Sequence, residues 1–154
     1  MKLYLVQHGQ ACAKDVDPER PLTEQGKAGV NRLAVFLRKS GVSVERIIHS
    51  GKLRARQTAE RLVNAIAAGA VPEVSDIINP NDDPAQFSKL SFSWSGDTLI
   101  VGHLPFLAKL VSQLTLGDTQ TVFTEFTPGS AVCLERHEDN RWTLNWMVRP
   151  EVIN

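Results

Sequence analysis

Residues 97–103 read DTLIVGH, and Leu99, Ile100 and Val101 run without interruption into Gly102 and His103. A strand with one wet face alternates apolar and polar residues. An unbroken aliphatic run bounded by polar residues instead marks a strand buried on both faces, the kind found in parallel sheets covered by helices. A helix should therefore follow. Pro105 can open it, and Leu107, Leu110, Val111 and Leu114 supply the buried stripe.

The same alternation of strand and helix extends outward in both directions. Residues 2–7 (KLYLVQ) are a short β run. Thr23 reads as an N-cap for a helix to about Ser40, with Val30, Leu33, Ala34 and Leu37 on one face and Gly41 placed to end it. RIIHS (46–50) is a second strand. A helix from about Lys52 to Ala68 follows, buried along Ala55, Ala59, Leu62, Val63 and Ile66. PEVSD (72–76) is a weaker strand, and Asp83-Pro84 pairs an N-cap with an N1 proline. At the end, SAVCLER and RWTLNWMV flank HEDN, a hairpin pattern. Trp142, Leu144, Trp146 and Val148 alternate with Thr143, Asn145 and Met147, which predicts one apolar face. Trp94 reads as packing. These elements predict a three-layer α/β/α fold with a mostly parallel sheet and a C-terminal antiparallel hairpin strand at or near an edge.

The chain has 154 residues, 42% apolar and 22% charged, which favours one globular domain over 1–154. Seventeen basic residues balance seventeen acidic ones, so nothing electrostatic argues for nucleic acid or an anionic membrane as partner. No window approaches the roughly 20 apolar residues of a membrane span, and the opening MKLYLVQHG is too short for a secretion signal. The cytoplasm is the expected location. Cys12 and Cys133 are far apart and read as free thiols, and His8, His49, His103 and His137 show no metal-ligand spacing.

Sites in open α/β sheets form beyond the carboxyl ends of the strands. His8 follows the first strand, Arg54 lies in the first turn of the helix after the second, and His103 ends the fourth. A neutral imidazole can attack phosphorus when its other nitrogen is held as a hydrogen-bond donor. An arginine fork and the free N–H groups opening the helix at residues 51–54 suit the equatorial oxygens. His49 and His137 read as packing or surface, and Arg56 and Arg61 as solvated.

Taken together, the residues resemble the histidine phosphatase superfamily, with its phosphoglycerate-mutase-like fold. The first strand with His8-Gly9, RPLTEQG (20–26), SGKLRARQTAE (50–60) and LIVGHLP (99–105) resemble successive landmarks of that family, in order, over residues 2–116. The small size, NPNDDP (79–84) and GHLPFLAKLV (102–111) are most similar to the bacterial SixA-type phosphohistidine phosphatases. The resemblance implies that His8 is the nucleophile, Arg54 the phosphate-binding arginine and His103 the second catalytic histidine. Gln7, Gly9 and Arg20 would bind substrate, while Thr23 and Gly26 would be structural. It implies no metal and no cofactor.

The family pattern is Arg-His-Gly followed by an acidic residue, where this chain has Gln7-His8-Gly9-Gln10. The amide of Gln7 donates hydrogen bonds but brings no charge. Three readings follow: a phosphatase acting on phosphohistidine in proteins, a degenerate member that binds phosphorylated ligands with little turnover, and a phosphatase of small phosphate esters. The expected partner is a phosphorylated protein or a small phosphate compound. For a general acid, Asp15, Asp17 and Glu19 of the first loop are the candidates.

Overall fold

The computed structural model describes residues 1–153. The described elements are β1 (Lys2–Gln7), α1 (Glu24–Lys39), β2 (Arg46–His49), α2 (Leu53–Ile66), β3 (Glu73–Val74), α3 (Pro84–Ser91), β4 (Thr98–Gly102), α4 (Phe106–Leu116), β5 (Ala131–Arg136) and β6 (Trp142–Val148), closed by a short 3-10 turn. The strands form one six-stranded sheet in the order β3-β2-β4-β1-β5-β6. The first four are mutually parallel. β5 runs antiparallel to β1 and to β6, so the hairpin occupies one edge, as expected.

β4 is buried at every position, in keeping with its uninterrupted apolar run. Tyr4, Val6, Ile47, Leu99 and Val101 face a core built with α1 and α2. Leu3, Leu5, Ile48 and Ile100 face the other core, with α3 and α4. Both faces of the sheet are thus covered, giving three layers. Removing an aliphatic side chain such as Leu33 or Leu107 fully from water contributes roughly 1.5–3 kcal/mol.

The helix boundaries follow local chemistry. Thr23 Oγ1 accepts the Gly26 N–H at 2.9 Å and caps α1. Gly41, at φ 75°, turns the chain away at its end. Asp83 caps α3 by accepting the Ala85 N–H at 2.9 Å, with Pro84 in the first turn.

Two expectations need correction. The weak third strand shortens from 72–76 to Glu73–Val74, exposed at the sheet edge where one neighbour alone holds it. The single apolar face of β6 is split. Cys133 pairs with Trp146 but Leu134 pairs with Leu144, a bulge that leaves Asn145 over. One extra residue reverses the facing of everything beyond it. Trp142 and Leu144 therefore pack on the α3/α4 side, while Trp146 and Val148 pack on the α1/α2 side. Trp94 packs edge-on against Phe87 at 5.4 Å, as expected of a packing residue.

The connections define where a site can form. The chain leaves β1 for α1 on one face and leaves the adjacent β4 for α4 on the other. A crevice opens where neighbouring strands send their connections to opposite faces. Here it lies beyond Gln7 and Gly102, which are paired in register.

Candidate active site

His8 and His103 are the first residues past that pair. The His8 N–H donates to the Gly102 carbonyl at 3.1 Å, continuing the ladder by one bond. The two rings lie 5.0 Å apart between centroids. Arg54, in the first turn of α2, completes the group, its Nε donating to His8 Nε2 at 3.3 Å. Both imidazoles are buried and Arg54 is partly exposed.

His8 Nδ1 lies 2.7 Å from the Gly9 carbonyl oxygen. A carbonyl only accepts, so Nδ1 carries the proton and Nε2 presents its lone pair toward Arg54. Burial pushes the His8 pKa down to about 4; Arg54 and Arg20 add to the shift, against the opposing hydrogen bond to Gly9. His103 is pushed down to about 3, by burial first and then by His8, Arg54, Lys52 and Arg20. At neutral pH both rings are uncharged. Arg54 is itself drawn below its ordinary value, by burial and then by Arg20. Positive charge thus converges on the rim from Arg54, Arg20 and Lys52. Among the described residues, no carboxylate contributes to the shift of either histidine.

Several backbone contacts hold this arrangement. The Gly9 N–H donates to Thr58 Oγ1 at 3.0 Å, and the Thr58 hydroxyl donates to the Arg54 carbonyl at 2.8 Å, tying the turn after β1 to α2. A Cβ on Gly9 would meet Val30 Cγ2 at 2.6 Å. A Cβ on Gly26 would stand 2.0 Å from the Gln10 carbonyl oxygen, so only glycine lets α1 pack this close to the loop. Thr23 strengthens the same contact, its hydroxyl donating to Gln10 Oε1 at 2.9 Å. On the other side, the Gly129 N–H donates to the carbonyls of Gln7 and His8 at 3.1 and 3.2 Å, with Gly129 at φ 86°.

Of the remaining sequence candidates, some lie around this centre and others do not. Gln7 is buried, and its Oε1 has no hydrogen-bond partner among the described residues. Arg20 sits at φ 50° with Nε donating to the Cys12 carbonyl at 3.1 Å, and its charge reaches both histidines. Asp15 and Glu19 are exposed, and Asp17 accepts the Glu19 N–H at 3.0 Å within its own loop. None of the three is brought to the histidines as a charge. The N–H groups opening α2 are fewer than expected. That of Gly51 donates to His49 Nδ1 at 3.0 Å and that of Lys52 reaches Ser50 Oγ at 3.4 Å, so of the four expected only those of Leu53 and Arg54, the first helical residues, remain. His49 is buried, in keeping with a packing role.

Sequence reasoning missed Ser50 and Thr58. Ser50 Oγ lies 2.6 Å from His103 Nε2, both groups buried. The available signal was position: Ser50 follows a strand onto the same rim, and Thr58 is one helical turn beyond Arg54.

A family profile described as histidine phosphatase superfamily (branch 1) matches residues 3–76. The phosphohistidine phosphatase SixA of Escherichia coli strain K12 is 30% identical over 155 residues, covering 97% of this chain and 94% of that one. A solved structure of the protein histidine phosphatase SixA complexed with tungstate superposes with a TM-score of 0.84 at 28% identity, covering 97% of each chain. The alpha-ribazole phosphatase of Shigella flexneri shares the fold, with a TM-score of 0.80 at 16% identity and 97% of each chain covered. With two neutral histidines and an arginine brought together at the switch point of the sheet, and with this degree of likeness along its length, the chain belongs to the histidine phosphatase superfamily.

Proposed function

We propose that this protein hydrolyses phosphohistidine on other proteins, and that His8 carries the phosphoryl group between the two halves of the reaction. In the first half, the lone pair of His8 Nε2 forms a bond to phosphorus as the P–N bond of the substrate breaks. The electron pair of that bond goes to the substrate imidazole. A phosphohistidine protonated on its other ring nitrogen leaves as neutral imidazole, so no acid is needed at the departing atom. In the second half, water attacks phosphorus and the P–N bond to His8 breaks. The Nδ1 proton, held on the Gly9 carbonyl, stays on His8 throughout, so His8 too leaves as a neutral ring. Arg54 and His103 stabilise the equatorial oxygens, and Gln7, Gly9 and Arg20 line their surroundings.

The observation that carries this reading is the sign of the charges. Arg54 and Arg20 act on both histidines and Lys52 on His103, and among the described residues no carboxylate offsets them in the shift of either ring. An alkyl phosphate ester must expel an alkoxide, which calls for a positioned general acid. A phosphoramidate does not. The likeness to a protein named phosphohistidine phosphatase supports the same substrate class.

The uncharged Gln7, buried beside His8 where the family pattern has arginine, favours a second reading: a binder of phosphorylated ligands with little turnover. A hydrolysis screen separates these readings and the small-ester phosphatase. Phosphohistidine protein, phosphoramidate and common phosphate esters are compared, with His8→Ala as control. Preferential release of phosphate from the first two supports the proposal. Binding without release supports the second reading, and preference for esters overturns both.

A further inference from the structure

Ser50 Oγ and His103 Nε2 are 2.6 Å apart in a buried setting, and either atom could hold the proton between them. The count of partners decides. The Lys52 N–H reaches the same Ser50 oxygen only as a donor, at 3.4 Å. Among the described residues His103 Nε2 is therefore the one acceptor within reach of the buried hydroxyl, and a proton on Nε2 instead would leave that hydroxyl without an acceptor. A serine hydroxyl has one proton, and a neutral imidazole has one N–H. If Nε2 accepts from Ser50, the ring proton is on Nδ1. His103 Nδ1 is buried and has no partner among the described residues, so its N–H is the donor left over.

We infer that Ser50 is a positioning residue that fixes His103 as the Nδ1–H tautomer, so that Nδ1–H donates to an oxygen of the phosphoryl group. The inference rests on the phosphoryl-transfer reading of the site. His8 and His103 then have the same protonation pattern for opposite purposes. His8 keeps its proton on Nδ1 so that Nε2 attacks, and His103 keeps its own there so that Nδ1 donates. Without the Ser50 hydroxyl the His103 proton can move to Nε2. A lone pair on Nδ1 then opposes the oxygen it should bind.

Long-range nitrogen–proton NMR on protein labelled in histidine reads the tautomer directly, with the His103 signals assigned by their absence in His103→Asn. At pH 7 the wild type should show His103 as Nδ1–H, and added inorganic phosphate should shift that proton. Ser50→Ala should move the ring toward Nε2–H and abolish the phosphate-induced shift. It should also lower kcat about ten- to hundred-fold, the scale on which hydrogen-bond partners that orient metal-ligating histidines act. Ser50→Thr should retain the tautomer and most of the activity. An Nε2–H ring in the wild type overturns the inference, as does Ser50→Ala losing activity with its tautomer unchanged. The tautomer is read without substrate. An Nδ1–H ring that responds to phosphate in a protein that hydrolyses no phosphoramidate would therefore sink the functional proposal and leave the role of Ser50 standing.

Discussion

His8 and His103 leave two adjacent parallel strands one residue beyond the paired positions Gln7 and Gly102, and this register alone brings their rings to 5.0 Å. The strands are separated by most of the chain, yet the two imidazoles need no loop to find one another. Helices on opposite faces follow the two strands, the arrangement that opens a crevice at the carboxyl edge of a sheet. Arg54 closes it from the N-terminus of α2.

Arg20 should supply part of the charge that Gln7 lacks. Its guanidinium acts on His8, His103 and Arg54, though its Nε is held by the Cys12 carbonyl. Arg20→Ala should weaken vanadate binding and lower kcat/KM by about ten-fold, since a hydrogen bond to a charged group contributes roughly 1.5–3 kcal/mol. Gln7→Arg should change wild type by less than that and restore much of the loss in the Arg20→Ala background. A harmless Arg20→Ala, measured by vanadate inhibition, would show that the site gathers its charge elsewhere.

Gly26→Ala should destabilise the fold by about 3 kcal/mol, at the upper end of ordinary overpacking. Its Cβ would stand 2.0 Å from the Gln10 carbonyl oxygen, which is backbone and cannot swing aside. Urea unfolding measures the cost. A midpoint equal to that of Gly29→Ala, where the nearest atom is the end of the Arg32 side chain at 3.7 Å, would refute the close approach.

Stability should fall as acid is added, before most carboxylates titrate. Unfolded, His8 and His103 bind protons near pH 6.5; folded, they do so only near 4 and 3. Between those values the unfolded state holds more protons, so stability rises with pH and is lost on acidification, by up to roughly 1.4 kcal/mol per pH unit for each histidine. The penalty is absent above about pH 7.5 and complete once the folded rings are protonated. His8→Asn should lower the slope between pH 6.5 and 4 by about half, His103 supplying the rest, as measured by urea unfolding at a series of pH values. An unchanged slope would mean that His8 titrates normally.

The parts of this architecture visible in the sequence were those written in hydrophobic period. The unbroken run at Leu99–Val101 marked the central strand, and helical spacing marked the faces of α1, α2 and α4. His8, Arg54 and His103 could be assigned to one rim because each follows a strand. The bulge at Asn145 could not be seen, because an extra residue in one strand is defined by its partner's register and not by its own alternation. Ser50 was hidden for a similar reason. Its partner is 53 residues away, and a serine after a strand looks like any turn residue until β2 and β4 are paired.

Rapid quenching of the protein with radiolabelled phosphohistidine protein or phosphoramidate tests the role of His8 most directly. Nε2 is unprotonated, faces Arg54 and lies beside His103. Labelled phosphate should therefore appear on His8 within the first turnover, stable to base and lost in acid. His8→Ala should show neither the label nor turnover. Normal turnover by His8→Ala, or hydrolysis in wild type with the label on another residue, would contradict a phosphohistidine intermediate at His8.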